Sequence, residues 1–165
     1  MEDFHFTPGV ETMTQPKNTM IHDIAQDVAY TLNVFPNHHR ALITMERLAI
    51  RRKSDPPPGT KLAVECFFDR ALRFRPEDTV SRSLYAQFLG RRARPDEAAR
   101  QLQIAAEHAK DNALSHYNIG LVFFELGRHE DALKQAHRAQ ELGFTKPDLA
   151  KMLTGVGQWR EPAEK

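Results

Sequence analysis

Two stretches of the chain align on each other without a gap. RSLYAQFLGRRARPDEAARQLQIAAEHA, from Arg82, matches HYNIGLVFFELGRHEDALKQAHRAQELG, from His116, at a shift of 34 residues. Tyr85 falls on Ile119, Ala86 on Gly120, Leu89 on Phe123, Ala98 on Ala132 and Ala105 on Ala139. Small residues meet small ones and bulky apolar residues meet bulky apolar ones. A repeat of this length is one supersecondary unit that cannot bury its apolar face alone. It must stack on neighbours, which confines the chain to a repeat architecture.

Each unit reads as two helices. ALSHYNIGLVFFELG carries Ile119, Val122, Phe123 and Leu126 at helical spacing, and Gly127 supplies a stop. HEDALKQAHRAQELG follows, with acids in its first turn, where they favour the helix dipole. Leu133, Ala136 and Ala139 share one face, and Gly143 ends it. Gly120 or Ala86 on a first helix faces Ala132 or Ala98 on the second, so the paired helices can approach closely.

This pattern resembles the tetratricopeptide repeat. Counting from Ala113, the chain has His116, Ile119, Gly120, Phe123, Ala132 and Ala139 at positions 4, 7, 8, 11, 20 and 27. Asn118 and Gly127 also fit, whereas Phe144 replaces the usual proline and Ala93 replaces the glycine of the preceding unit. The resemblance covers roughly residues 21–146 and is clearest over 79–146. One unit earlier Phe68, Ala71 and Pro76 fit, after about six extra residues in the KSDPPPG loop, which cannot be helical. Glu46 stands where that unit should have a small residue. Together DFHFTP, TLNVFPNHHRAL, VECFFDRALRFRP and YNIGL look like a family of bacterial tetratricopeptide proteins of unassigned function.

The resemblance implies an all-α fold, a right-handed α-solenoid of antiparallel helix pairs with about three repeats and helical caps. Seven main helices are expected near 20–34, 39–52, 60–74, 79–91, 95–110, 113–126 and 129–142, with a short cap helix over 148–154. Residues 1–19 are expected to be extended, with room for one turn at Pro8–Met13. Residues 20–154 form the helical domain and 155–165 a tail, from which Trp159 can dock back.

Composition excludes several functions. The only cysteine, Cys66, rules out an internal disulfide and any multi-cysteine zinc site. It sits in an apolar helical pattern where a thiol packs. No apolar run approaches the roughly 20 residues that span a bilayer. MEDFHFTPGVE lacks the basic and apolar regions of a signal peptide. That fits the cytoplasm; members of the bacterial family often carry an export signal upstream of FHFTP, which would instead mean the periplasm. Net charge is +1, but residues 40–100 carry fourteen Lys or Arg against eight acids, and residues 1–39 carry one against five. A basic middle suits an acidic partner or is a solvated face.

The adjacent His38 and His39 invite a metal reading. On a helix they point about 100° apart, whereas a shared face needs a spacing of three or four. In the repeat frame they mark the handover between units, capping or solvating a helix start with Asn37 as the N-cap. They remain weak metal candidates. No cofactor is expected, and no catalytic set is visible.

The resemblance implies a concave face lined by first helices. Carried over position by position, its ligand-facing residues include Arg40, Ile43, Arg47 and Arg51 in one unit. Ser83, Gln87 and Arg91 follow in the next, and Tyr117, Leu121 and Phe124 in the last. Such a basic, partly apolar trough suits a protein or peptide with acidic and apolar residues. For Leu121 and Phe124 the alternative is cover by the C-terminal cap. The residues of the family's chaperone-tail clamp are absent. With a pI near 8.0 and no aromatic stacking set, nucleic acid is not an expected partner. The expected function is a non-catalytic interaction scaffold. Its alternatives are a metal-dependent enzyme or metal-binding protein using His38 and His39, with His22 or His5, and a self-assembling module. Partner identity and oligomeric state are not readable.

Overall fold

The computed structural model describes residues 5–14 and 23–162, and among them every regular element is a helix. In chain order these are α1 (Pro8–Glu11), α2 (Ile24–Val34), α3 (His39–Arg52), α4 (Val64–Phe74), α5 (Thr79–Arg91), α6 (Pro95–Ala109), α7 (Ala113–Glu125), α8 (His129–Glu141) and α9 (Asp148–Gly155). The all-α expectation holds. Residues 1–4 and 15–19 of the expected extended segment, 20–22 of the first expected helix and 163–165 of the tail lie outside the described residues.

Helix starts follow from side chains that satisfy the orphan N–H groups. Thr7 caps α1, with Pro8 in the first turn. The Asp23 carboxylate caps α2 by accepting the Ala25 N–H at 3.4 Å. In α5, Asp78 accepts the N–H groups of Val80 and Ser81, both at 3.0 Å. Asn112 accepts the Ser115 N–H at 2.9 Å and starts α7. The cap of α3 corrects an expectation: it is His38, not Asn37, whose Nδ1 accepts the Ala41 N–H at 3.1 Å.

The repeat is written into these ends. His38, Asp78 and Asn112 cap three first helices at intervals of 40 and then 34 residues. Lys53, Ala93 and Gly127 end the same three helices in left-handed conformation, φ 51°, 57° and 72°, at the same intervals. In each, the next residue's N–H reaches back five residues: Ser54 to Ala49, Arg94 to Leu89 and Arg128 to Phe123. The longer first interval holds the proline-rich loop. That loop also delays α4 to Val64: Thr60 closes a turn onto the Pro57 carbonyl, and the Asp55 carboxylate accepts the Val64 N–H at 2.8 Å.

The chain divides into two compact units, Met1–Leu84 and Tyr85–Lys165. In the first, α3 packs on α2 and α4, and α1 touches both α2 and α3. Its core holds Val28, Leu32, Leu42, Met45, Leu48, Val64, Phe67 and Phe68. Glu46, in the register of Ala86 and Gly120, is buried among the helices of this unit. In the second unit α7 packs on α6 and α8, and α9 touches α7 and α8. Its core holds Leu89, Leu102, Ile119, Phe123, Leu149 and Leu153. Gly120 lets α8 approach: a Cβ there would stand 3.2 Å from Gln135 Cβ and 3.4 Å from the Ala132 carbonyl.

Candidate functional site

The first unit holds the basic part of the expected trough on α3. Arg40, Arg47 and Arg51 are exposed and Ile43 is half-buried. Their spacing of three and four places them along one side of the helix. The N-terminal segment lies against this side. Val10 on α1 is 1% exposed and Phe6 6%. The Phe6 ring lies 5.9 Å from the Arg40 guanidinium and meets the His38 ring edge-on at 4.9 Å.

Arg40 grips Glu11 with two N–H groups; its Nε–H donates to Glu11 Oε1 at 2.7 Å, and an Nη2 N–H to Oε2. A bidentate guanidinium–carboxylate pair fixes orientation as well as charge. Those hydrogen bonds from Arg40 hold the Glu11 carboxyl below its usual range, against the upward pull of desolvation. The charges of Arg40, His38 and Arg47 act in the same direction. Further along, Arg51 Nη1 donates to the Met13 carbonyl at 3.4 Å. The segment is anchored at its other end too. His5 Nδ1 stands 3.1 Å from the Asp27 carboxylate, and its ring packs on Tyr30 at 4.1 Å. His5, Asp27, Tyr30, Lys61 and Phe67 border an open pocket of about 580 Å³ in this unit.

The histidine pair is divided between two structural tasks. His38 spends Nδ1 on the α3 cap. His39 donates its Nε2–H to Asp78 at 2.8 Å. Asp78 also accepts from Asn37 Nδ2 at 3.2 Å and from the Ser81 hydroxyl at 2.9 Å. Burial pulls the Asp78 carboxyl upward, but the His39 and Ser81 hydrogen bonds and the His39 charge outweigh it, leaving the acid far below its ordinary value. This tie joins the N-termini of α3 and α5 within the first unit. Among the described residues no three His, Cys, Asp or Glu side chains are grouped to hold a metal ion. His22 lies outside the described residues.

Ser83 spends its hydroxyl on the Thr79 carbonyl, 2.8 Å away. In the second unit, Gln87 Nε2 donates to Glu125 Oε2 at 3.0 Å. With exposed Arg91, Gly90, Val122 and Leu126 they line an open pocket of about 490 Å³. Tyr117 is buried: its ring lies 4.7 Å from Phe144 and its hydroxyl donates to Asp148 Oδ2 at 3.4 Å. Burial and the Asp148 charge push the phenol upward. Leu121 and Phe124 are half-buried, and the Phe124 ring packs on His129 at 5.0 Å. The C-terminal cap thus covers Tyr117, whereas Leu121 and Phe124, for which cover is expected, are only half-buried. Trp159 docks edge-on against His137 at 5.2 Å, and His137 Nε2 donates to the Arg160 carbonyl at 2.7 Å.

Reading the sequence missed Glu11, Phe6 and Val10 as neighbours of the α3 arginines. The available signal was TPGVE, a threonine before proline with an acid in the first turn, in a head that is acidic while the middle is basic. It also missed Asp78, although an aspartate directly ahead of TVSRSLYA is a cap signature.

No protein-family model matches the chain, and no curated protein matches it. Among the described residues, no helix is long and apolar enough to cross a membrane.

Proposed function

We propose that the chain is a non-catalytic protein-interaction module, of the tetratricopeptide type, that takes an acidic, apolar peptide segment on the exposed side of α3. One observation carries this reading. A peptide segment with those properties lies against that side, with Phe6 and Val10 buried and Glu11 held by Arg40. Arg47 and Arg51 extend the positive charge along the helix and remain exposed. An acidic residue binds there through a charge-assisted pair, and an aromatic residue stacks under the guanidinium. In the second unit Gln87 and Arg91, beside the apolar wall of Val122 and Leu126, give a smaller surface of similar chemistry.

The test uses fluorescent ten-residue peptides that differ only in charge. Acidic, apolar peptides should bind the full chain, and the Arg47→Glu, Arg51→Glu variant should lose about tenfold in affinity, since each of the two reversals replaces an attraction of about 0.2–1 kcal/mol by a repulsion of similar size. Its helical circular dichroism should be unchanged. Equal binding of acidic and basic peptides, or binding indifferent to the swap, contradicts the reading.

A further inference from the structure

We infer that residues Phe6–Glu11 are an intramolecular ligand that gates the α3 face, and that the external partner carries the same short pattern: an aromatic residue, an aliphatic residue four positions later and a carboxylate immediately after. The inference rests on the function proposed above and adds its regulation and the chemistry of its partner.

Four features of the segment behave as a bound peptide does. The turn is preformed locally, because Thr7 Oγ1 accepts the Val10 N–H at 3.3 Å and Pro8 opens the helical turn. The turn is too short to be stable alone, since an isolated helix of this size does not survive nucleation. Its order therefore comes from what it touches. Two apolar anchors, Phe6 and Val10, are buried, whereas Pro8 and Thr12 face solvent. The acid that follows the second anchor is read by a two-pronged guanidinium. The surrounding grip is thin: the Arg40 side chain is 62% exposed and the Arg51 bond is 3.4 Å. A segment held by two apolar anchors, the His5–Asp27 contact at 3.1 Å and an exposed ion pair is exchangeable, because exposed pairs contribute little.

Tethering makes such a segment an effective competitor at roughly millimolar local concentration. A free peptide then binds with an affinity reduced by the fraction of molecules in which the face is open. Weakening the segment's own anchors raises that fraction without altering the face.

The experiment compares two full-length proteins, the wild type and the Phe6→Ala, Val10→Ala, Glu11→Ala variant. The probe is a labelled peptide of residues 5–14, and binding is read by fluorescence anisotropy. The variant should bind at least about tenfold tighter than the wild type, and adding Arg40→Glu should abolish the gain. Equal affinity in the two proteins overturns the gate and leaves the peptide-binding reading standing. Absence of binding in both, with hydrogen exchange showing residues 5–14 released in the variant, overturns the gate and the reading together. Should the triple variant not fold, Glu11→Arg alone, which turns the Arg40 pair into a repulsion and leaves Phe6 and Val10 in place, must give a smaller gain of about threefold or more; no gain there overturns the gate.

Discussion

His39 donates its Nε2–H to the Asp78 carboxylate across 2.8 Å, tying the first turn of α3 to the cap of α5. Asp78 serves both helices at once, because its two oxygens accept from Val80, Ser81, Asn37 and His39. Replacing Asp78 with Asn should lower unfolding free energy by about 1–2 kcal/mol at neutral pH, measured by urea titration. His39→Ala should cost less, since it leaves the helix cap intact.

The same carboxylate sets an acid limb. Its pKa in the folded chain lies below the unfolded value of about 3.9. A depressed carboxylate contributes its full stability above the unfolded pKa and loses it as pH falls below. Wild-type stability should therefore decline from about pH 4 downward, and Asp78→Asn should flatten that decline. An unchanged slope between the two proteins would remove Asp78 from the acid transition.

Ala93 and Lys53 occupy the left-handed position that Gly127 fills in the later unit. A side chain there costs about 1–2 kcal/mol against the right-handed region, and glycine recovers part of it. Ala93→Gly and Lys53→Gly should each stabilise by about 0.5–1 kcal/mol, whereas Gly127→Ala should destabilise by a similar amount. Calorimetric melting of the three variants checks the pattern.

Gly90 and Gly120 should respond differently to added volume. A Cβ on Gly90 meets only the Leu126 side chain, whose tip can rotate away. One on Gly120 meets the Leu149 tip at 2.6 Å and is backed by Gln135 Cβ and the Ala132 carbonyl. Gly90→Ala should therefore cost under about 1 kcal/mol, and Gly120→Leu about 3 kcal/mol or more. Denaturant midpoints distinguish the two.

Helix positions were legible because their determinants are local. Asp and Asn caps, prolines at first turns and glycines at ends lie within a few residues of the boundary they set. Six of the expected helices begin where the sequence places them; α2 begins at Ile24, behind its Asp23 cap, rather than near 20, and α4 begins later because Asp55 and Thr60 shape a loop whose geometry no periodicity encodes. The site was less legible for the converse reason. Glu11 and Arg40 are separated by 29 residues, and their pairing depends on the path of the N-terminal segment. Charge segregation along the sequence indicated attraction without naming the two residues. Tyr117 is expected on an open face, but the burial of its ring depends on Phe144, in the loop after α8, and on Asp148, at the start of α9. The histidine pair was legible as a helix start, yet its division between a cap and Asp78 depends on where α5 lies, 39 residues along the chain from His39.

The central claim is that the basic side of α3 holds an acidic, apolar segment by charge and two anchors. Hydrogen exchange of residues 5–14 tests it most directly, since the Glu11 and Thr12 amides donate to the Thr7 and Pro8 carbonyls only while the turn is formed. In the Arg40→Glu, Arg47→Glu protein those amides should lose at least about tenfold in protection, while the amides of α3 and α4 keep theirs. Retained protection in the segment would show that it is held without the arginines and would contradict the account.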